Sequence, residues 1–211
     1  MSKSEKKDKL SKKKIDGTGK KMIIVLSFFF FVLLIIMDQL SKDIIMKKYE
    51  VGEGKTVIKN VLEILHIRNK GSAWGMFEKV PIIPMIIACI MIGLLIYVYT
   101  NLIRYERYRA LRICVICLVS GAIANIIDRI RLGSVTDFVY FKFINFPVFN
   151  VADIYVTFSI VAVLLLLIFK YSSEDVDVVL GSAYIDDNGK IIYKNETDNQ
   201  EHGNTSDEES L

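Results

Sequence analysis

Histidine is scarce in this chain of 211 residues, which contains only His66 and His202, and no H-E-x-x-H motif for zinc is present. The topology derived below places the two histidines on opposite sides of a membrane. A Ser/His or Cys/His dyad would therefore depend on His66 alone. We expect neither a metal ion nor another cofactor.

Cysteine is scarce as well, with three residues in the chain. Cys114 and Cys117 form a C-x-x-C pattern, but they lie inside an apolar run and no second pair of ligands accompanies them. Cys89 is embedded in another apolar run. We interpret all three as reduced packing residues rather than as redox or metal-binding groups.

Long apolar runs are abundant, since 52% of the residues are hydrophobic. A membrane-spanning helix needs about 20 predominantly apolar residues. Four runs meet or nearly meet this length, at about residues 22–42, 80–101, 110–130 and 150–170. The runs predict an all-α integral membrane protein with four transmembrane helices, which form one domain over residues 22–170.

The first apolar run follows a lysine-rich stretch and so has two of the features of a secretory signal peptide. No small-residue cleavage site follows it, because the chain continues with "MDQLSKDII". We therefore interpret this run as a retained first span.

Positive charge is concentrated in two short segments that predict the topology. Residues 1–21 hold nine lysines against three acidic residues, and four arginines lie in the link between the second and third spans and the first residues of the third: Arg104, Arg107, Arg109 and Arg112. The positive-inside rule assigns both segments to the cytoplasm. With four spans, both termini are then cytoplasmic. We expect the basic N-terminal segment to lie against anionic lipid rather than to bind nucleic acid.

The segments outside the four runs differ in character. Residues 43–79, between the first two spans, contain β-branched residues in partial alternation, which predicts a small extracytoplasmic segment with β-strands. Residues 171–211 are polar and acidic, which predicts a flexible cytoplasmic tail. Within this tail, "SAYIDD" and "GKIIYK" are a possible hairpin.

Polar residues gather at the external ends of the predicted spans. They are Asp38 and Lys42 in the first span, Asn125, Asp128 and Arg129 in the third, Asp137 in the following link, and Asn150 and Asp153 at the start of the fourth. Charged groups at membrane depth are costly and commonly mark functional sites. Residues three or four apart share a helix face, so these groups predict one outward-facing pocket, and Gly121 permits a close helix contact beside it.

Each of these polar groups also has a structural interpretation. Asp38 and Lys42 form a possible interfacial ion pair, and Asp128 has its opposite charge in the adjacent Arg129. Asn150 with Asp153 is typical of a helix start that needs no chemistry. A Ser41/Lys42 dyad is conceivable, although adjacent helix positions point in different directions.

Two other classes of function remain open at this stage. Aspartates at span ends are compatible with an ion relay in a small transporter subunit, or with polar contacts in a structural membrane protein. A relay requires polar positions through the whole bilayer, whereas the inner halves of the four spans lack acidic residues. This pattern favours carboxylate chemistry at one face of the membrane.

Four sequence blocks resemble, in order and spacing, the signature of the lipoprotein signal peptidases, also called type II bacterial signal peptidases. The blocks are "DQLSK" at 38–42, "RNKGSAWGMF" at 68–77, "GAIANIIDRIRLGSVTDF" at 121–138 and "FPVFNVADI" at 146–154. The resemblance implies an intramembrane aspartic endopeptidase of the bacterial cytoplasmic membrane. Its substrates would be prolipoproteins, cut at the extracytoplasmic face on the amino side of a diacylglyceryl-modified cysteine.

The resemblance also assigns roles to individual residues. It makes Asp137 in "VTDF" and Asp153 in "FNVAD" the catalytic pair. It gives supporting or substrate-binding roles to Asp38, Lys42, Asn69, Gly71, Ala73, Asn125, Arg129 and Asn150, while Asp128 remains a possible member of the pair. Ala124 stands where the family often has glycine. We expect a monomer whose partners are prolipoproteins and membrane lipid.

Two neighbouring carboxyl groups that share one proton are able both to activate water and to protonate a leaving amine. Such a pair titrates as a unit. The helix N-terminus at Asp153 favours its anion, whereas the apolar neighbours Val135, Phe138 and Val139 favour the neutral form of Asp137. We therefore expect Asp153 to act as the base more often than Asp137.

Overall fold

Four long helices dominate the fold. The structure is a computed structural model that describes residues 14–71 and 82–194. The helices are α1 (Gly17–Lys48), α2 (Ile82–Leu102), α3 (Arg109–Leu132) and α4 (Val151–Phe169). All four are long and apolar enough to cross a membrane. The predicted all-α membrane fold with four spans is confirmed.

The first helix is longer than the apolar run that predicted it. It has 32 residues and therefore rises about 48 Å, whereas the hydrocarbon core of a bilayer is about 30 Å thick. Its C-terminal turn carries Lys47 and Lys48. The helix thus continues past the apolar run into polar sequence.

A three-stranded antiparallel sheet accompanies the helices. Strands β1 (Gly54–Ile58) and β2 (Leu62–Asn69) form the predicted β-segment between α1 and α2. Strand β3 (Val135–Phe141) comes from the link after α3 and pairs with β2. The sequence analysis placed Asp137 in this link and did not predict the strand, although "VTDFVYF" is rich in β-branched and aromatic residues.

The chain divides into two compact units. One comprises residues 26–95 and 114–162, and because it holds the three-stranded sheet we call it the sheet unit. The other comprises residues 1–25, 96–113 and 163–211, and because it holds both termini we call it the terminal unit.

Close helix packing in the sheet unit depends on Gly121. A Cβ at this position would lie 2.7 Å from the Ala152 carbonyl oxygen and 2.7 Å from a Val156 methyl group. The backbones of α3 and α4 therefore approach one another in a way that a larger residue would prevent.

The start of α4 is attached to β3 by backbone hydrogen bonds. The Phe149 N–H donates to the Val139 carbonyl oxygen at 3.0 Å, and the Val139 N–H donates back to Phe149 at 2.8 Å. Because Phe149 directly precedes Asn150, this bridge brings the N-terminus of α4 to the strand that carries Asp137.

The terminal unit contains a fifth helix, α5 (Ser173–Leu180), and a hairpin of β4 (Ala183–Ile185) and β5 (Ile191–Tyr193). The hairpin lies where the sequence suggested one. The expected flexible tail therefore contains an ordered helix. A capping box at Ser172 starts this helix, and its Val178 side chain is buried. Residues 195–211 lie outside the described residues.

Candidate active site

Asp137 lies on β3 and is buried, with 3% of its surface exposed. Its carboxyl group accepts hydrogen bonds from Asn69 Nδ2 at 2.9 Å and from Asn150 Nδ2 at 2.7 Å. The sheet register explains the first bond: Asn69 pairs with Val135, two residues before Asp137, so both side chains project from one face of the sheet.

Asp153 lies in the first turn of α4. Its carboxyl oxygens accept from Asn125 Nδ2 at 2.9 Å and from the Asn150 N–H at 3.1 Å. The Asp153 N–H donates in return to Asn150 Oδ1 at 3.0 Å. This reciprocal pair has the form of a capping box, so the predicted helix-start arrangement is present beside Asp137.

Asn150 connects the two candidate carboxyl groups. Its side-chain oxygen holds the Asp153 N–H, while its amide nitrogen donates to Asp137 and also to Asn125 Oδ1 at 3.0 Å. The residue is completely buried. Its side chain therefore fixes Asp137 relative to the first turn of α4.

A buried cluster of charges contacts Asn125 through Lys42. Lys42 Nζ is 2.7 Å from Asp38 Oδ2, 3.0 Å from Asp128 Oδ2 and 3.0 Å from Asn125 Oδ1. The side chains of Lys42, Asp38 and Asp128 are all at most 3% exposed. Two carboxylates therefore share one ammonium group away from water.

The two carboxylates of this cluster also hold backbone N–H groups beside the candidate pair. Asp38 Oδ1 accepts from the Ala152 N–H at 2.8 Å, directly before Asp153. Asp128 Oδ2 accepts from the Thr136 N–H at 3.1 Å, directly before Asp137. The charge cluster thus orients the backbone next to both candidate residues.

Gln39 belongs to the same cluster and was missed by the sequence prediction. Its amide nitrogen donates to Asp128 Oδ1 at 2.9 Å, and its oxygen accepts from Arg131 at 3.1 Å. The only available signal was its place beside Asp38 in the "DQLSK" block.

Arg129 reaches the loop that follows β2. It donates to the Gly71 carbonyl oxygen at 3.3 Å, and the Gly71 N–H donates to Asn69 Oδ1 at 3.0 Å. The guanidinium Nε is buried and has no partner among the described residues. Ala73, the third predicted residue of this block, lies outside the described residues.

A cavity of about 600 Å³ opens beside the candidate pair. Its polar wall is formed by Asn69, Gly71, Asn125, Arg129, Asp137 and Asp153. Its apolar wall includes Phe141, Ile144, Phe146, Phe149, Ile154 and Phe158. In the described part of the chain, four residues of the site do not line the cavity: Asp38, Lys42, Asp128 and Asn150. They position the residues that do line it.

Burial, and after it the nearby negative charge of Asp153, raise the pKa of Asp137 to about 7. The hydrogen bonds from Asn69 and Asn150 oppose this effect because they favour the anion. Asp137 therefore keeps its proton in about half of the molecules at pH 7, whereas an unperturbed aspartate has a pKa of about 3.9.

The structure decides between several alternatives that the sequence left open. The predicted Asp38–Lys42 pair exists, but it is buried rather than interfacial. Asp128 pairs with Lys42 and not with the adjacent Arg129, which donates to backbone carbonyl groups instead. The Ser41 hydroxyl donates to the Asp38 carbonyl oxygen of its own helix at 2.6 Å, so it makes no dyad with Lys42.

A comparison with known protein families shows to which family the chain belongs. The family model described as signal peptidase (SPase) II matches residues 30–169. The chain therefore belongs to the signal peptidase II family, and it is a peptidase with membrane-spanning helices.

Curated relatives are lipoprotein signal peptidases. The chain is 36% identical to the one from Enterococcus faecalis over 136 residues, which is 63% of this chain and 81% of the relative. It is 30% identical to the one from Clostridium tetani over 143 residues, which is 66% of this chain and 90% of the relative.

Two solved structures, both described as bacterial membrane enzymes obtained by the in meso method, share the fold. One, at 1.9 Å resolution, has a TM-score of 0.61 and 30% identity, and the match covers 70% of this chain and 96% of that one. The other, at 2.3 Å, has a TM-score of 0.59 and 29% identity, with coverage of 69% and 88%.

Proposed function

We propose that this protein is an intramembrane aspartic endopeptidase that removes signal peptides from prolipoproteins, cutting on the amino side of the diacylglyceryl-modified cysteine. The observation that carries the proposal is the convergence of Asp137 and Asp153 on one cavity in a chain of the signal peptidase II family. Hydrolysis of an amide by two carboxyl groups needs this arrangement.

In the proposed reaction the Asp153 carboxylate takes a proton from a water molecule while the water oxygen attacks the scissile carbonyl carbon. Protonated Asp137 then gives its proton to the leaving amine nitrogen. Its raised pKa, about 7, suits an acid that must hold a proton near neutral pH. The N–H groups at the start of α4 favour the anion at Asp153.

The cavity walls suit a substrate that is part peptide and part lipid. Arg129 lines the cavity, so its guanidinium group is placed to donate a hydrogen bond to a peptide carbonyl group. On the apolar side, Phe146 and Phe158 line the cavity and are 46% and 73% exposed. Apolar side chains that remain exposed at a span are suited to contact with acyl chains, which position the scissile bond.

The proposed orientation follows from charge. The lysines before α1 and the arginines between α2 and α3 belong on the cytoplasmic side. The membrane is then the bacterial cytoplasmic membrane, with both termini inside and the cavity at the outer face. One copy is sufficient, because a single chain supplies both carboxyl groups and their hydrogen-bond donors.

The test is cleavage of a diacylglyceryl-modified prolipoprotein by the purified protein in detergent, followed by a gel shift. Asp137→Asn and Asp153→Asn are expected to lose at least about 10³-fold in turnover, because each removes a proton-transfer group. Asp43→Asn is the matched control, since Asp43 lies on α1 next to Lys42 and is not among the residues that line the cavity.

Two results would overturn the proposal. One is an unprocessed lipidated substrate under conditions in which a known peptidase of the family cuts it. The other is full activity of folded Asp137→Asn or Asp153→Asn protein. An Asp128→Asn variant that loses activity while it stays folded would show that turnover depends on the contacts of Asp128 with Lys42 and the Thr136 N–H.

A further inference from the structure

The described residues after α4 form a structured segment beyond the family region. The family model ends at residue 169, whereas α5, β4 and β5 lie between Ser173 and Tyr193. We call residues 171–194 the C-terminal strap. Nothing in the proposed peptidase reaction uses it.

The strap packs on the connection between α2 and α3. Tyr105 and Tyr108 of this connection are 2% and 0% exposed, and Ile185 of the strap is 0% exposed. The Ile185 N–H donates to the Tyr105 hydroxyl oxygen at 3.0 Å. The segment therefore shares a buried core with the connection.

The last residues of α2 hold the C-terminal end of α5. Asn101 Nδ2 donates to the Val179 carbonyl oxygen at 3.1 Å, and the Tyr97 hydroxyl donates to the Leu180 carbonyl oxygen at 3.1 Å. Carbonyl groups at a helix end lack partners within the helix. Gly181 follows with a φ of 86°, a conformation that favours glycine.

Asp175 holds the other end of α5 and is 1% exposed. Arg107 donates to it from Nε at 2.7 Å and from Nη2 at 2.8 Å, and the Tyr108 hydroxyl donates at 3.0 Å. The Ser172 N–H donates at 3.0 Å as part of the capping box. One carboxylate thus joins the strap to the connection and starts the helix.

A third segment meets the same connection. The Ile15 N–H donates to the Arg104 carbonyl oxygen at 2.8 Å, and Lys14 forms an exposed ion pair with Asp187 at 3.1 Å. The strap, the connection and the residues before α1 are consequently parts of one contact network.

We propose that the C-terminal strap is a conformational device that closes over the α2–α3 connection, and that the partly buried Arg107–Asp175 pair is its latch. While the latch is formed, the strap stays attached to the connection. Removal of Arg107 leaves the buried Asp175 carboxylate without the cation that pairs with it, so it opens the strap.

The first test measures opening directly in the full-length protein in detergent. Val178 is 2% exposed, so a Val178→Cys thiol reacts with a polar maleimide only when the strap opens. The same protein without Val178→Cys gives the background from Cys89, Cys114 and Cys117. Adding Arg107→Ala is expected to raise the labelling rate about tenfold or more. Arg107→Lys keeps the charge but not the fork geometry, and its effect is expected to be intermediate.

Glu174→Ala is the matched control, because it removes an exposed acidic residue from the same helical turn and leaves the latch intact. Equal labelling rates with Arg107→Ala and Glu174→Ala would overturn the proposal.

A thermal cycle tests the latch without the added cysteine. Arg107→Ala and Asp175→Ala are each expected to lower the unfolding midpoint, and the double variant is expected to fall no further than the more damaging single one. Additive shifts would show that the two residues act separately, which would also overturn the proposal.

Discussion

Asp137 and Asp175 are buried to nearly the same extent, yet their surroundings drive their pKa values in opposite directions. Asp137 is 3% exposed and Asp175 is 1% exposed. Burial raises the pKa of Asp137 to about 7. Burial alone would also raise the pKa of Asp175, but the Arg107 guanidinium and the Ser172 N–H hold it below its ordinary value.

The difference lies in the charge of the hydrogen-bond donors. Among the described residues, the hydrogen-bond donors to Asp137 are neutral amide groups, from Asn69 and Asn150, and Asp137 faces a second carboxyl group. Asp175 receives a guanidinium group at two of its bonds. A buried carboxylate with a cation is a stable structural element, whereas one without a cation keeps a proton that it is able to transfer.

Substitution of Lys42 is expected to have the largest effect on stability, because Lys42 supplies the cation for both Asp38 and Asp128. Lys42→Met leaves two buried carboxyl groups without compensation and is expected to lower the free energy of unfolding by about 3–5 kcal/mol. Thermal or denaturant unfolding in detergent measures the loss.

Lys142→Met is the control for this change. Lys142 pairs with Glu63 at 2.8 Å, but its side chain is half exposed, so the expected loss is much smaller than that of Lys42→Met. If both substitutions had the same small effect, the buried cluster would not have the structural role described here.

The proton on Asp137 is expected to control the alkaline side of the activity profile. The proposed acid loses its proton as the pH rises through its pKa of about 7, so kcat/KM should fall about tenfold for each further pH unit. Initial rates between pH 5 and 9, with protein shown to be folded at each pH, measure this limb. A rate that stays constant up to pH 9 would contradict the assigned role.

The capping box at Ser172 is expected to have a smaller effect. Ser172→Ala removes the side-chain acceptor for the Asp175 N–H but keeps the Arg107 bond, so the terminal unit should lose about 1 kcal/mol. Val178→Cys labelling and the unfolding midpoint report the change. A loss as large as that of Arg107→Ala would mean that the cap, and not the ion pair, holds the strap.

Asn69→Ala is expected to have the smallest effect of these substitutions, a small shift in the pKa of Asp137. Its hydrogen bond favours the Asp137 anion, so Asn69→Ala should raise the pKa of Asp137 and move the alkaline limb upward by about half a pH unit. The pH profile of kcat/KM measures this shift. A limb that moves downward would show that the Asn69 hydrogen bond does not favour the Asp137 anion.

Much of the fold was predictable because the strongest forces in it are local to the sequence. Four apolar runs predicted four spans, and Gly121 predicted a close helix contact, for which the structure identifies α4 as the partner. The pairing of β3 with β2 was not predicted, since it joins Asp137 to a strand about 70 residues earlier. Pairings of this kind depend on tertiary structure rather than on local propensity.

The structure brings together the residues that the sequence blocks around Asp38, Asn69, Asn125 and Asp153 singled out. The connections among them were not predicted. The blocks did not indicate that Lys42 bonds Asp128, because the adjacent Arg129 offers the same charge in sequence. Gln39 and the backbone N–H groups of Thr136 and Ala152 have no sequence signal for the contacts they make.

The sequence by itself determined that the chain crosses a membrane four times and carries aspartates near one end of its spans, because hydropathy and helical spacing act over a few residues. Only the tertiary structure decided which buried carboxyl groups have a cation and which do not. Asp137 and Asp175 have the same side chain, and the charge that distinguishes them comes from residues distant in the chain. A pKa depends on neighbours in space, and those are set by packing.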